Sequence, residues 1–400
     1  MTIIAQIISA FLIGLMLVFY AIPIIVRISK EKHLFDVPNE RKINKHAVPY
    51  LGGIALFVGI SIATLLSIFN DPFPDIRYIL VGMIILFFIG IKDDILVISA
   101  RKKLIAQIVC ALILIMLGDI RLTDLHGILD LHEIDYFFSM ALSLLAIVAI
   151  INALNLIDGI DGLAAGIGIL ASSFFGTFFI LSGNIQYAIL CFATIGSLSS
   201  FAFYNVFGRK NKIFMGDTGS LILGLLLAVF AIQYNEISIT GSDQQSSLSP
   251  VYSLAILSVP LFDMIRLFAI RIFQKKSPFS PDINHIHHKL LKIGLSHLTS
   301  TLIILGANLI IIGIVYVFRS INNNFLLIIL ISTFTLFSLL PQLIYEYKKA
   351  GKSLTKKHQF NLFFRPFKNY AEKNSEDDST VELTTEAEAE DNELKQAVNE

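Results

Sequence analysis

The sequence is short of charge. Only 16% of its 400 residues are Asp, Glu, Lys or Arg, against 55% hydrophobic residues and a mean hydropathy of +0.72. An ordinary soluble domain is roughly 45–50% apolar and about 25% charged. Too few charges are present to cover a water-soluble particle of 44.5 kDa. That shortage excludes a typical cytosolic enzyme, a disordered chain and a strongly basic nucleic-acid binder. Strict alternation of apolar and polar residues is also missing, which sets aside an outer-membrane barrel. Cysteine is scarce: Cys110 and Cys191 each lie inside an apolar run and read as buried free thiols. Neither a disulfide framework nor a CxxC zinc pair is present. The first apolar run lacks a basic n-region and a clear cleavage site, so it reads as a span and not as a signal peptide. No soluble domain and no internal repeat are evident.

What the chain has instead is long apolar runs. Eleven are visible, at about 3–26, 51–69, 77–91, 104–118, 136–154, 163–182, 186–206, 219–234, 251–273, 300–318 and 325–345. A helix needs about 20 apolar residues to cross roughly 30 Å of hydrocarbon. The expectation is an all-α, polytopic integral membrane protein of about 11 transmembrane helices. Residues 1–347 form the membrane domain and 348–400 a C-terminal tail. Alternate loops differ in charge. One set holds nineteen Lys and Arg, among them Arg27, Lys45, Lys92, Lys103, Lys212, Arg266 and Lys292; the other holds only Arg77, Arg121 and Arg319. The positive-inside rule then puts the N-terminus outside and the basic loops and C-terminus in the cytosol.

The zero net charge is a sum of opposites. Residues 372–400 carry eleven acids and two bases, net −9, and the other 371 residues carry +9. The tail starts basic (Lys348, Lys349, Lys352) and turns acidic, a composition that cannot bury a core and reads as disordered.

Five segments on the basic face carry residues that are costly at a membrane boundary. Asp36 to Lys45 with Gly52-Gly53 offers bases beside a helix start, which suits an anion or a plain positive-inside loop. Gly90-Ile-Lys92-Asp93-Asp94 sets two adjacent carboxylates at a helix C-terminus, against the macrodipole. They suit a divalent cation or a base. Asn152-Ala-Leu-Asn155-Leu-Ile-Asp158-Gly159-Ile-Asp161-Gly162 breaks an apolar stretch and contains no Lys or Arg to pair its acids. Phe214-Met215-Gly216-Asp217-Thr218-Gly219-Ser220 opens a helix, as a cap or a ligand turn. Finally, Asp263, Arg266 and Asp282 accompany His285-Ile-His287-His288, a cluster fit for phosphate binding, proton relay or metal. A structural zinc site would want Cys partners, which are absent here. Together these residues combine oxygen ligands suited to Mg²⁺ with bases suited to phosphates, the chemistry of phosphoryl transfer at a bilayer surface. A transporter would place such residues mid-span.

The ordered segments GIKDD, NALNLIDGIDGLA, FMGDTGS and HIHH resemble the polyprenyl-phosphate N-acetylhexosamine-1-phosphate transferases (glycosyltransferase family 4) over most of residues 1–345. The split His285-Ile-His287-His288, in place of a consecutive triplet, resembles the undecaprenyl-phosphate α-N-acetylglucosaminyl 1-phosphate transferase branch more than the muramoyl-pentapeptide branch. The resemblance implies a bacterial inner-membrane enzyme with a cytosol-facing site. It would transfer GlcNAc 1-phosphate from UDP-GlcNAc to undecaprenyl phosphate, with Mg²⁺ or Mn²⁺, and release UMP. It implies Asp93 as base or lipid-phosphate contact, Asp94 as companion acid and metal ligand, and Asp217 as the principal metal ligand. Asp158, Gly159 and Asp161 match the nucleotide-facing turn, and Phe214 lies by the uracil. Lys45, Asn155 and Asp282 match further substrate contacts, and His285, His287 and His288 the loop that engages the diphosphate. Partners are the two substrates and the bilayer, with no nucleic acid; a homodimer is left open. The stretch Gly208-Arg209-Lys210-Asn211-Lys212 stands where the family commonly has a Pro-Ala pair and makes the segment from Asn205 to Asp217 two residues longer, which weakens any role carried over to Asn205.

Overall fold

The computed structural model describes residues 2–35, 48–68, 73–96, 98–240, 250–275 and 285–350. Lys45, Asp282 and the tail beyond 350 lie outside the described residues.

Within those residues the chain is helical apart from one hairpin. The helices are α1 (Ile3–Glu31), α2 (Gly52–Ser67), α3 (Ile76–Leu96), α4 (Ala100–Gly118), α5 (Tyr136–Ile157), α6 (Leu163–Leu181), α7 (Ile185–Ala202), α8 (Gly216–Thr240), α9 (Pro250–Ile256), α10 (Ser258–Phe273), α11 (Ile286–Lys292), α12 (His297–Val317) and α13 (Asn323–Ala350). The antiparallel hairpin β1 (Asp124–Ile128) and β2 (Leu131–Glu133) lies between α4 and α5. Side-chain oxygens start several helices where free amides need acceptors. Asp135 accepts from Phe137 N and Phe138 N ahead of α5, and Ser296 Oγ accepts from Thr299 N ahead of α12.

All eleven apolar runs are helical, but the expected count of about 11 membrane helices is corrected. Among the described residues, seven helices are long and apolar enough to cross: α1, α5, α6, α7 with its continuation to Phe207, α8, α12 and α13. The number is eight if α9 and α10 count as one broken span. The physical reason is length and charge. Helix α2 has 16 residues, which is about 24 Å of helix. Helices α3 and α4 carry Arg77, Lys92, Asp93 and Asp94, and Arg101, Lys102 and Lys103, inside their helical lengths. The charge-free parts that remain are shorter than a bilayer's hydrocarbon.

Helix α8 is the axis of the bundle. Leu221, Ile222, Leu223 and the run from Leu225 to Ile232 are all buried. A helix apolar all round belongs inside, and α8 packs against α2, α3, α5 and α6. Its first turn is where the polar segments meet.

The ninth run is broken. Helices α9 and α10 meet at Leu257 with an 83° bend. Pro260 has no amide to offer Ile256 and its ring crowds that carbonyl. Asn308, fully buried on α12, takes over: its Nδ2 donates to Ile256 O at 3.0 Å and its Oδ1 accepts from Ser258 Oγ at 2.8 Å. Irregular backbone at this depth is tolerated where protein groups satisfy it.

Candidate active site

The first turn of α8 is held from outside. Gly216 has φ +71°, a conformation that glycine enters without penalty, and it turns the chain into the helix. Asp94, from the end of α3, then caps the helix in trans. Its Oδ1 accepts from Asp217 N at 2.7 Å, and its Oδ2 accepts from Thr218 N at 3.1 Å and Thr218 Oγ1 at 2.6 Å. A carboxylate here also meets the positive end of the helix dipole. Asp94 is thereby committed at both oxygens. Gly52 N and Gly53 N are committed as well, donating to Phe214 O and Met215 O at 3.0 and 2.9 Å. The Gly pair that looked suited to an anion instead pins the turn before α8.

Asp217 projects from that turn beside Lys103. Lys103 Nζ lies 2.5 Å from Asp93 Oδ2 and 3.2 Å from Asp217 Oδ2, so one cation bridges two acids. Asp93 Oδ1 accepts from Ile98 N at 2.6 Å. Asn155 Nδ2 donates to Asp217 Oδ1 and, at 2.9 Å, to Ser220 Oγ.

The turn between α5 and α6 forms a second group. Asp161 Oδ2 lies 2.7 Å from Lys212 Nζ and 3.3 Å from His297 Nδ1. Burial alone would raise the Asp161 carboxyl, but His297 and Lys212 outweigh it and hold it below the usual range. Lys212 Nζ also lies 5.9 Å from the Phe214 ring centre. Asn205 Oδ1 accepts from Gly162 N at 2.6 Å and Asn205 Nδ2 donates to Ile213 O at 2.9 Å, tying this turn to the segment before α8. Asn205 thus has a structural role despite the longer loop that follows it.

Asp158 differs from its neighbours. Among the described residues its carboxylate makes no hydrogen bond and no ion pair. Burial, then repulsion from Asp217, Asp94 and Asp161, pushes it up to about 7. The folded protein therefore holds this proton more tightly than the unfolded chain. The group is neutral and harmless at low pH, and its penalty on the fold grows as pH rises from about 4 through about 7. In metal-free protein, Asp158→Asn should raise Tm at pH 8, by roughly 2–4 °C if about 1 kcal/mol of repulsion is relieved, and raise it by clearly less at pH 5. Thermal melts of both proteins at the two pH values check this. An equal effect at both would show that the carboxylate is not under strain.

The third group comes from α10 and α11. Asp263 Oδ2 lies 2.9 Å from His285 Nδ1, and Asp263 Oδ1 lies 2.7 Å from Arg266. The His287 ring lies 4.3 Å from that of His288, centre to centre. It also rests on Gly159: a Cβ there would stand 3.0 and 3.1 Å from ring carbons of His287. Only a glycine leaves room for that approach. Burial holds the His287 imidazole neutral, well below the usual histidine range.

The structure thus brings Asp93, Asp94, Asn155, Asp158 and Asp217 together at the start of α8, sets Asp161 and Phe214 about Lys212 beside them, and joins the His285, His287 and His288 group to the turn through Gly159. Sequence reasoning missed the individual roles of Lys103, Lys212, Thr218 and His297. A signal existed for Lys103. It precedes Ala106, Gln107 and Cys110, the buried stripe of α4, by three, four and seven residues, while Arg101 and Lys102 are exposed.

The family model for glycosyl transferase family 4 matches residues 76–235, which contain both acid pairs and the α8 turn. The undecaprenyl-phosphate alpha-N-acetylglucosaminyl 1-phosphate transferase of Salmonella typhi is 32% identical over 317 residues, 78% of this chain and 83% of that protein. Its counterpart in Yersinia pestis is 31% identical over 320 residues, 79% and 84% of the two chains. That of Escherichia coli (strain K12) is 30% identical over 297 residues, 74% and 78%. With this likeness across most of both lengths, the chain belongs to glycosyl transferase family 4, a multi-pass membrane enzyme in the branch of the undecaprenyl-phosphate N-acetylglucosaminyl 1-phosphate transferases.

Proposed function

We propose that this protein transfers GlcNAc 1-phosphate from UDP-GlcNAc to undecaprenyl phosphate, giving undecaprenyl-diphospho-GlcNAc and UMP, and so initiates a cell-envelope polysaccharide. The observation that carries the reading is the meeting of Asp93, Lys103 and Asp217 at the start of α8, with the buried Asp158 repelled by Asp217 and Asp94. A phosphate oxygen of the lipid attacks the sugar-linked phosphorus, and the bond from that phosphorus to the oxygen of UMP breaks. Asp93 serves the nucleophile, as base or as contact to the lipid phosphate beside Lys103. Asp217 and Asp158 form an oxygen donor set of the kind Mg²⁺ takes. When bound, Mg²⁺ (or Mn²⁺) supplies charge neutralisation for the diphosphate. Asp94 positions Asp217 by holding the α8 amides, and as companion acid it is assigned as a further oxygen ligand of the metal from the resemblance. Asp161, Gly159 and Phe214 face the nucleotide, Asn155 steadies Asp217, and His285, His287 and His288 approach the diphosphate. Lys45 and Asp282 are assigned as further substrate contacts from the resemblance alone. The bases flanking these segments support a cytosol-facing site in a bacterial inner membrane, with the N-terminus outside and the C-terminus cytosolic.

Purified protein in detergent with Mg²⁺, undecaprenyl phosphate and radiolabelled UDP-GlcNAc should yield a labelled lipid and free UMP. Parallel reactions with UDP-N-acetylmuramoyl-pentapeptide and other UDP-HexNAc donors assign the sugar. Label transfer from none of them would reject the reading. Ligand flux without UMP release would identify a transporter instead.

A further inference from the structure

The His loop carries no zinc signature along the chain, because Cys is absent and the histidines are crowded into four positions. The fold changes the inventory by bringing Asp263 to it from 22 residues away. Asp263, His285 and His287 are all buried, and each offers one ligand atom within 4.8 Å of the others. We propose that these three side chains bind one borderline divalent ion of the zinc class, at a site separate from the oxygen-lined group around Asp217.

The independent sign of a ligand is His287. Its side chain is 1% exposed, and among the described residues neither Nδ1 nor Nε2 has a hydrogen-bond partner. Buried polar atoms are almost always satisfied, and an imidazole with both nitrogens unmatched calls for an explanation such as an ion. The nitrogen lone pair of that ring is free to coordinate. Asp263 Oδ2 and His285 Nδ1, now 2.9 Å apart in a hydrogen bond, need to open only to about 3.3–3.4 Å to be neighbouring ligands on a tetrahedral metal with bonds of about 2.0–2.1 Å. Arg266 occupies Asp263 Oδ1, which leaves Oδ2 as a monodentate ligand. The His285 and His287 rings lie 5.2 Å apart and 15° from parallel. Closing on one ion requires the His287 ring to turn, and no hydrogen bond opposes that turn.

The donor set selects the metal class. Two imidazoles and one carboxylate suit Zn²⁺, Co²⁺ or Ni²⁺, whereas Mg²⁺ prefers all-oxygen surroundings and sheds water reluctantly. Three protein ligands leave a fourth position for water. The ion would tie α10 to the start of α11 and fix the ring that rests on Gly159. This inference does not rest on the transferase reading, because metal binding is read without substrate.

The full chain, purified in detergent through a tag that contains no histidine and stripped with EDTA, is titrated with Co²⁺ in excess Mg²⁺. One equivalent should bind and give visible d–d absorption, which Zn²⁺ then erases. His287→Ala should weaken Co²⁺ binding by about 100-fold or more. His287→Asn, which keeps a polar side chain of moderate size, should do the same, with a metal-free Tm that reports its folding. Asp217→Asn should leave the band unchanged. The proposal is overturned by absence of the band in wild type, by its persistence in a folded His287 variant, or by its loss in Asp217→Asn.

Discussion

Asp217→Ala should lower transfer of labelled sugar phosphate by about 10³-fold or more. The Asp217 amide is fixed by Asp94 at 2.7 Å, so the carboxylate leaves the first turn of α8 in one direction. It there meets Lys103 at 3.2 Å and the Asn155 amide. Alanine removes the charge and both contacts, while the apolar length of α8 that sets the fold is untouched. Asp217→Asn separates the two losses, because it keeps the size and gives up the charge. If the negative charge next to Asp158 is what the reaction needs, asparagine should be nearly as inactive as alanine. The check is initial rate against Mg²⁺ concentration for all three proteins. Retention of more than a tenth of wild-type activity in Asp217→Ala would remove this residue from the chemistry.

Lys103→Met should cost nearly as much, roughly 10²–10³-fold. The methionine keeps most of the apolar stem and deletes the cation. Asp93 and Asp217 would then face each other without a counter-charge, and like charges at that distance cannot both stay ionised easily. Lys103→Arg should recover part of the activity. A guanidinium keeps the charge but presents a planar fork where a compact ammonium sits between two oxygens. The neighbouring Lys102 is exposed, and Lys102→Ala should stay within about twofold of wild type. Equal losses at Lys102 and Lys103 would mean that only the basic character of the loop matters.

The two expectations differ in how visible their residues were beforehand. Asp217 stood out because Asp in a Gly-rich turn at the mouth of an apolar run is anomalous. Lys103 did not stand out, since it sits in a run of three bases that the positive-inside rule explains completely. Its distinction is its phase on α4, and that matters only once α4 is known to turn this stripe toward α3 and α5. Asp93 and Asp94 show the same limit. As neighbours in a sequence they are interchangeable, and both base and metal roles fit either. On α3 they point apart, one toward Lys103 and Ile98 N, the other into the amides of α8.

The membrane count departs from hydropathy for a related reason. The apolar runs near 51–69, 77–91 and 104–118 do lie on helices α2, α3 and α4. Whether a helix qualifies as a span depends on its whole length and on the charges inside it, and the charges of α3 and α4 fall within their helices.

The class of protein, the placing of its helices and the residue types at the site are legible in the chain's local patterns. Those properties follow from patterns that are local and repeated: apolar runs, helix-start turns, and acids where no acid is expected. The tertiary structure alone decided which charge meets which. Asp94 reaches Thr218 across 124 positions, Lys212 reaches Asp161 across 51, and Asp263 joins His285 across 22. A contact near 3 Å between such distant residues is the outcome of helix packing around α8, and short-range sequence pattern holds no record of it.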